Sequence, residues 1–349
     1  MLDPKIPFLE DALDPRQAQR QLQAVVPQLR QVTTATLRRH KIGRRALVEY
    51  RLDTAAGPTT LLGKIRAKGT DRASYQIQQD LWNTGWNAHS RDRLCVPEPL
   101  GLLPDWHMML QRSVPGTPAT QSLPTPAGIP LAQRIAELAH KLHRTPVSTA
   151  KTHTLADELQ ILRDRLPLVA AQHPQWATRI HNLLTACHTL ANSVHPLPPS
   201  RPHLPAHPST HPPLYPSTIH RDFYADQILV DGDRLWLVDL DLCCQGSPAL
   251  DIGNFIGHIS EQSLREIGDA DALGDREAAL ATAYLRRLEH PDRALHQEIA
   301  LYTVLTLVRH IHISTRIANR RPYTEALLAL CETRLASLKS ERLVPRAER

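Results

Sequence analysis

Hydrophobic and polar positions alternate along the early part of the chain in a way that predicts antiparallel strands. Residues 46–52 carry Ala, Val, Tyr and Leu at alternate positions, and residues 60–65 form a second extended run after the turn Ala55-Ala56-Gly57-Pro58. Period-two alternation broken by a Gly-Pro turn is typical of a hairpin. A further extended run, Trp106–Leu110, is closed by Pro115-Gly116.

Apolar residues at helical spacing dominate the rest of the chain. The stretch Asp14–Val32 places Leu22, Val25, Val26 and Leu29 on one face, with a kink or break expected at Pro27. The same spacing predicts further helices at Ser74–Trp82, from Pro130 to just before Pro146, over Thr154–Asn192 with a break at Pro174, and in the region up to about Ser340, where Leu301, Val304, Leu305 and Val308 form one stripe.

Proline density marks one long loop. Nine of the 29 prolines fall between Pro196 and Pro216. Neither a helix nor a central strand tolerates that density, so we expect an exposed loop with polyproline II character.

The length and charge of the chain restrict the classes of protein to be considered. A chain of 349 residues exceeds what one hydrophobic core usually supports, so two lobes are expected. The formal net charge of +6 suits an anionic ligand such as a nucleotide but is too small to indicate a nucleic-acid partner.

The location expected from the sequence is the cytoplasm. No stretch has the length of apolar sequence needed to cross a bilayer, and the first residues do not resemble a signal peptide, so no membrane association is expected. The five cysteines are scattered and contain no Cys-x-x-Cys, which fits a reducing compartment.

The segment Ile219–Asp239 concentrates residues that bind cations. Asp231-Gly232 between two apolar runs predicts a hairpin, and the ends of a hairpin lie side by side. Asp222 and Gln227 enter the first strand and Asp239 leaves the second, so we expect the three side chains to converge. Two carboxylates and an amide oxygen form a suitable site for a hard cation such as Mg²⁺.

The same residues resemble a known family. His220-Arg221-Asp222, with an amide side chain five residues after the Asp, resembles the catalytic loop of kinases. Gly246–Asn254 resembles the Gly-x-Pro-x-x-Asp segment of the aminoglycoside phosphotransferase and choline kinase superfamily, and Leu142–Pro146 resembles its Leu-His-x-x-Pro. The resemblance is most specific over Ile219–Ile259 and extends weakly over most of the chain.

The resemblance implies an α+β, two-lobed protein-kinase-like fold. Residues 1–112 would form a small N-lobe with an antiparallel sheet, and residues 113–349 a larger helical C-lobe. The implied activity is transfer of the γ-phosphate of ATP, with Mg²⁺, to a hydroxyl of an aminoglycoside-, sugar- or amino-alcohol-like molecule. The implied partners are therefore a nucleotide and a small-molecule acceptor, and the sequence names no protein partner.

Roles follow from the resemblance residue by residue. Asp222 would be the catalytic base and Lys64 would pair the nucleotide phosphates. Asp239 and Gln227 would hold the metal ion. The supporting residues would be His220 and Asp251, which lie in or beside the catalytic loop, and adenine would lie against the backbone of a hinge containing Met109, Leu110 and Gln111.

Three features depart from the family pattern. The family usually has Asn at the position of Gln227. The turn His40–Arg45 has one glycine, so its basic side chains either contact phosphate or are simply solvated. The helix after Lys64 offers Gln76, Gln78, Gln79 and Asp80 where a Glu partner for the lysine is expected.

Alternatives remain open for several of these features. Lys64 alone fits a solvated strand lysine, and His143 is expected to be a surface or capping residue, like most of the histidines. The six acids in Glu261–Leu280 either face a cationic acceptor or form a solvated surface. The whole chain fits a protein kinase less well, because it lacks an Ala-Pro-Glu segment and a long activation loop. A pseudokinase that binds nucleotide without turnover is the non-enzyme alternative.

Overall fold

The structure described is a computed structural model covering residues 3–194, 217–289 and 293–343, the last three of these through their backbone only. The predicted proline-rich loop therefore lies outside the described residues.

The chain divides into two compact units. The first contains the residues up to Thr117 together with Val147–Thr149 and Ile228–Leu242, and the second contains Pro118–Pro146, Ala150–Gln227 and the residues from Cys243 onward. The hairpin after the candidate catalytic loop thus belongs to the first unit. The predicted lobe boundaries, residues 1–112 and 113–349, stay a prediction.

The first unit is built around an antiparallel sheet. Its elements are α1 (Leu9–Leu13), α2 (Pro15–Leu22), β1 (Leu29–Lys41), β2 (Arg45–Thr54), β3 (Gly57–Arg66), α3 (Arg72–Leu81), β4 (Leu94–Cys95), β5 (Pro99–Leu103), β6 (Met108–Arg112) and β7 (Thr117–Pro118), and, later in the chain, β10 (Ile228–Asp231) and β11 (Arg234–Leu237). The strand order in the main sheet is β1-β2-β3-β6-β5. In a smaller sheet, β11 pairs antiparallel with β10 and parallel with β4.

The predicted hairpin of residues 46–52 and 60–65 is confirmed. β2 and β3 pair antiparallel from Arg45↔Arg66 to Thr54↔Gly57, which sets Tyr50 opposite Leu61. Val48, Tyr50, Leu52, Leu61 and Ile65 are buried in one core with α1 and α2. The hydroxyl of Tyr50 donates to the carbonyl of Ala12 at 2.9 Å, which fixes α1 against the sheet.

The predicted helix over Asp14–Val32 is wrong beyond Leu22. The helix α2 ends at Leu22, and Leu29 begins β1. Pro27 excludes a continuous helix, and the β-branched residues 32–34 and 36 favour a strand once β2 offers a partner. The apparent helical spacing from Leu22 to Leu29 therefore combines the last residue of α2 with the first residue of β1.

The third extended run is displaced by two residues. Pro104–Trp106 forms a 3₁₀ turn, His107 takes a left-handed conformation with φ of 44°, and β6 begins at Met108. Trp106 is nevertheless buried in the core of this unit.

The second unit is mainly helical, as expected. Its elements are α4 (Ala119–Ser122), α5 (Gly128–Arg144), β8 (Thr152–His153), α6 (Leu155–Gln172), α7 (Ala177–Val194), β9 (Ser217–Ile219), β12 (Cys244–Gly246), α8 (Pro248–Ile267), α9 (Gly274–Leu285), α10 (Arg293–Arg316) and α11 (Thr324–Leu343). The short strands form one sheet of order β8-β12-β9.

The helices α8 and α10 form the centre of the second unit. The predicted stripe Leu301, Val304, Leu305 and Val308 is fully buried on α10. Adding a Cβ at Gly253 or Gly257 of α8 would bring it within about 3 Å of α10 backbone or side-chain atoms, so the absence of a side chain lets the two helices approach closely. α8 also carries Asp251 and Asn254, which contact the candidate catalytic loop. Among the residues that the structure describes, no helix is both long and apolar enough to span a membrane.

Candidate active site

The segment that follows β9 presents Asp222 on a bent backbone. His220 is buried, Arg221 has a positive φ of 70°, and a 3₁₀ turn covers Ala225–Gln227. A positive φ is uncommon for a residue other than glycine and marks a conformation that its surroundings must hold in place. Asp222 itself is partly exposed and so accessible to a ligand.

Asp251 fixes this bent backbone. Its carboxylate is fully buried in the first turn of α8 and accepts hydrogen bonds from the backbone N–H groups of His220 and Arg221, both at 2.7 Å. A buried carboxylate is tolerated because both oxygens are satisfied. Asp251, for which the resemblance implies support of the catalytic loop, thus contacts the backbone of that loop directly.

His143 completes the surroundings of Asp251. The Nε2 atom of His143 lies 3.1 Å from Asp251 Oδ2, and its Nδ1 lies 2.8 Å from the hydroxyl of Tyr284. The expectation of a surface or capping histidine is therefore wrong, because the side chain is buried and contacts Asp251 of α8 and Tyr284 of α9. The Leu-His-x-x-Pro resemblance at residues 142–146 was the signal that pointed to it.

Gln227 lies at the end of the 3₁₀ turn, directly before β10. Its backbone N–H donates to the carbonyl of Tyr224 at 2.9 Å, and the residue is 7% exposed. Asp226, next to it, is exposed and accepts a hydrogen bond from the hydroxyl of Thr120. In this turn Gln227 is therefore buried and Asp226 is exposed.

The hairpin predicted around Asp231-Gly232 is confirmed as β10 and β11, and it ends close to Asp239. Asp231 pairs with Arg234, and Gly232 occupies the turn with φ of 61°. Asp239 also has a positive φ, of 59°. Asp is among the residue types that tolerate this region, and such conformations cluster at functional sites.

In the first unit, Lys64 lies beside two carboxylates. The ammonium Nζ is 3.9 Å from Asp239 Oδ1 and 3.7 Å from Asp241 Oδ1. Asp241 also binds Arg66 at 2.5 Å, and Arg66 lies 3.1 Å from Asp71, which caps α3. The sequence prediction included Lys64 and Asp239 but omitted Asp241, although the pattern Asp239-Leu240-Asp241 was its signal.

The polar residues of α3 have other partners. Gln76 donates to Asp80, Asp80 accepts from the backbone of Ser148, and Gln78 donates to the carbonyl of Pro97. Among the described residues, the carboxylates within 4 Å of the Lys64 ammonium are instead those of Asp239 and Asp241. The acidic partners of the lysine thus come from the segment after β11.

Met109, Leu110 and Gln111 lie in β6, between β3 and β5. Met109 pairs with both Lys64 and Leu102, and Leu110 pairs with Gly63 and Gly101. These pairings place Met109 next to the strand residue that carries the candidate phosphate-binding ammonium. Their contact with adenine stays a prediction.

The basic turn between β1 and β2 is tied to the N-terminal segment. Asp3 is buried and accepts from the backbone of Gly43 and lies 2.8 Å from His40 Nε2. Gly43 has φ of 68°, which a residue with a side chain rarely adopts. The turn is therefore fixed at its base, while Ile42 at its tip is 74% exposed.

The oxygen ligands present fit a magnesium ion better than a transition metal. Among the described residues no group of three or more His, Cys, Asp and Glu side chains forms a ready metal cage. Mg²⁺ commonly takes only one or two carboxylates and completes its coordination with phosphate and water. Asp239 and Asp241 can supply such carboxylates, and Gln227 can supply an amide oxygen; the convergence of Asp222 and Gln227 with Asp239 stays a prediction.

Comparison with known proteins identifies the class. The family described as APH, Phosphotransferase enzyme family, matches residues 36–299. The chain therefore belongs to the phosphotransferase enzyme family. A search of curated proteins found no match.

Solved structures share the fold at low identity. A choline/ethanolamine kinase family protein from Mesorhizobium loti has a TM-score of 0.57 at 17% identity, covering 93% of this chain and 99% of that one. A choline kinase from Cryptosporidium parvum has a TM-score of 0.60 at 10% identity, covering 95% and 98%. An amicoumacin kinase in complex with AMP-PNP, Ca²⁺ and Ami has a TM-score of 0.58 at 14% identity, covering 93% and 95%. These likenesses show that the chain has the kinase-like fold, with an antiparallel sheet followed by a helical region.

Proposed function

We propose that this phosphotransferase transfers the γ-phosphate of ATP to a hydroxyl group of a small molecule. The observation that carries the proposal is the position of Lys64, whose ammonium lies within 4 Å of both Asp239 and Asp241 in a member of a phosphotransferase family. Phosphoryl transfer depends mainly on positioning and on neutralising phosphate charge, and a lysine held by carboxylates is suited to that task.

Asp222 is proposed as the base that accepts the proton of the attacking hydroxyl. It is partly exposed on a loop whose backbone Asp251 holds on the N-terminal side. A base is effective only when its position relative to the hydroxyl is fixed, so the contacts of Asp251 support the assignment. His220 contributes through its backbone N–H.

Lys64 is proposed to bind the phosphates of the nucleotide, and Met109–Gln111 to lie along its adenine. Lys64 of β3 pairs with Met109 of β6, so the residues proposed to bind phosphate and adenine lie on neighbouring strands of one sheet. The carboxylates of Asp239 and Asp241 lie within ion-pair distance of the ammonium, which restrains the lysine side chain.

Asp239 and Gln227 are proposed to hold Mg²⁺, with Asp241 as a neighbouring carboxylate. When bound, the ion would neutralise charge on the phosphate oxygens. The amicoumacin kinase that shares the fold was solved with AMP-PNP and Ca²⁺, which supports the use of a nucleotide and a divalent cation.

Several acids of Glu261–Leu280 form ion pairs with arginines, which is relevant to the charge of the acceptor. Glu261 is 3.2 Å from Arg265, Asp275 is 2.5 Å from Arg276, and a further pair joins Asp271 and Arg334 at 2.5 Å. Because arginines lie beside these three carboxylates, we propose that the segment does not serve as a set of free anions for a polycationic acceptor. A neutral or singly charged hydroxyl compound, such as a sugar or amino alcohol, is favoured.

A nucleotide-binding module without turnover is the second candidate. The observation that favours it is Gln227, where the family usually has Asn, because the longer side chain must be accommodated at a buried position. Lys64, Asp222 and Asp239 are all retained, which favours the active enzyme. The cytoplasmic location expected from the sequence stays a prediction.

The test is ATP consumption by the purified protein against a panel of sugars, amino alcohols and aminoglycosides, with Mg²⁺. The proposal expects one class of hydroxyl compound to raise ATP consumption and to appear as its phosphate ester by mass spectrometry. Tight binding of ATP with no consumption above background for the whole panel would favour the nucleotide-binding module.

A further inference from the structure

A row of buried and half-buried polar side chains leads from α10 to the backbone of the candidate catalytic loop. The Nδ2 group of Asn254 on α8 donates to the carbonyl of Phe223 at 2.9 Å. Arg309 on α10 donates from Nη2 to Asn254 Oδ1 at 2.5 Å, and the hydroxyl of Thr306 donates to the same oxygen at 3.2 Å. Phe223 directly follows Asp222, so the row ends beside the proposed base.

The direction of each hydrogen bond in this row is fixed by chemistry. A backbone carbonyl can only accept and a guanidinium can only donate, so the amide of Asn254 has one satisfactory orientation. Asn254 is 1% exposed, and water does not replace a lost partner at such a position. A carboxylate at position 254 would therefore face the carbonyl of Phe223 with an oxygen in place of a donor.

Arg309 is itself held by a second buried group. Its Nη1 donates to Glu158 Oε2 at 3.1 Å, and His153 Nε2 lies 2.7 Å from Glu158 Oε1. Burial acts to raise the pKa of Glu158, but the hydrogen bond of His153 and the charge of Arg309 outweigh it and leave the pKa lowered. Glu158 is therefore ionised at neutral pH. The planar guanidinium of Arg309 donates to both Glu158 and Asn254, and the single ammonium of a lysine cannot make both contacts in this geometry.

Asn254 binds the backbone that follows Asp222, whereas Asp251 binds the backbone that precedes it. Asp251 and Asn254 are three residues apart and so lie on one face of α8. Asp251 holds the N–H groups of His220 and Arg221, before Asp222, and Asn254 holds the carbonyl of Phe223, after it. The backbone on both sides of Asp222 is thus bound to one helix face.

We propose that Asn254 and Arg309 are positioning residues that fix Asp222 for the reaction, Arg309 acting through Asn254. This inference rests on the proposed function for the role of Asp222. Neither residue needs to touch the substrate, because a hydroxyl misplaced by a fraction of an ångström relative to its base already slows transfer.

The test compares Asn254→Asp and Arg309→Lys with the wild type. Arg316→Lys is the matched control, since it makes the same substitution at an exposed position of the same helix. We expect Asn254→Asp to lower kcat by about tenfold or more and Arg309→Lys to lower it by a smaller factor, with the KM for ATP unchanged in both. Arg316→Lys should match the wild type.

Hydrogen exchange, read by mass spectrometry on the peptide containing residues 220–227, distinguishes positioning from general destabilisation. Positioning predicts faster exchange in that peptide while peptides from α10 keep wild-type rates. Unchanged kcat and unchanged exchange in both variants would overturn the proposal, as would a uniform rise in exchange over the whole second unit. If Asn254→Asp does not fold, kcat and hydrogen exchange of Arg309→Lys alone test the proposal.

The two proposals fail in different ways. A wild type that phosphorylates no compound refutes the proposed function, yet the exchange arm still shows whether Asn254 and Arg309 hold the loop. A wild type that turns over, with variants of normal kcat and normal exchange, refutes the positioning role and leaves the function intact.

Discussion

The ammonium of Lys64 lies 3.9 Å from the carboxylate of Asp239, across more than 170 positions of sequence, in the same compact unit. β3 carries the lysine and the segment after β11 carries the acid. Asp239 adopts a left-handed backbone conformation at φ of 59°, so its carboxylate position is set by the fold and not by the local preference of the chain.

Replacing Asp239 by Ala should remove the dependence of nucleotide affinity on Mg²⁺. The proposed metal ligand is lost, and the affinity for ATP measured calorimetrically should fall about tenfold or more when Mg²⁺ is present. Asp233→Ala is the control, because Asp233 lies in the turn of the same hairpin with its side chain 76% exposed. Equal Mg-ATP affinity in Asp239→Ala and the wild type would exclude Asp239 as a metal ligand.

The two hairpins could be predicted because local signals there agree with the tertiary structure. Asp231-Gly232 specifies a tight turn, and the alternation over residues 46–52 matches a sheet with one buried face. The start of β1 could not be predicted in this way. Its residues fit a helical period when read alone, and only pairing with β2 makes them a strand.

The partners of the site residues depended on contacts distant in sequence. Asn254 and Arg309 carry no distinctive local pattern, since amides and arginines are frequent on surfaces. Their significance comes from burial and from hydrogen bonds across long separations, as between Arg309 and Asn254. The sequence alone predicts a surface or capping role for His143 for the same reason, because its partner Asp251 lies on another helix.

Position 227 distinguishes an adapted kinase from a degenerate one. Mg²⁺ demands near-octahedral geometry at short distances, so an active enzyme must have adapted to the longer Gln227. In that case Gln227→Asn should lower kcat several-fold and Gln227→Ala by about tenfold or more, in steady-state kinetics with the best acceptor.

The opposite order would indicate a degenerate site. If Gln227→Asn restores or raises turnover, the chain has lost an optimal ligand. Equal rates for the wild type, Asn and Ala would show that position 227 does not bind the metal. Gln172→Asn, at the exposed end of α6, controls for the substitution itself.

The stability of the second unit should depend on the ionisation of Glu277. Ser260 donates to Glu277 Oε1 at 2.6 Å, and burial raises the pKa of Glu277 from its ordinary value of 4.5 to about 7. Because the folded state binds this proton more tightly than the unfolded state, stability is full below about pH 4.5 and declines as the pH rises toward 7. The decline is at most about 3.5 kcal/mol, since each unit of pKa shift corresponds to about 1.4 kcal/mol.

Urea unfolding at pH 5 and pH 7.5 tests this dependence. Glu277→Gln keeps an acceptor for Ser260 but cannot ionise, so it should lose less stability than the wild type between the two pH values. Glu289→Gln, an exposed position beyond α9, should behave as the wild type. The same difference between pH 5 and 7.5 in all three proteins would show that Glu277 has an ordinary pKa.

The most direct test of the central claim is phosphate transfer by the wild type and by Asp222→Asn, measured side by side with Mg-ATP and the acceptor that responds best. The amide has the shape of the carboxylate but cannot take the proton of the hydroxyl, so transfer should fall by a factor on the order of 100 or more while ATP affinity and the unfolding temperature stay close to those of the wild type. Near-normal transfer by Asp222→Asn would contradict the account of this loop as the catalytic centre.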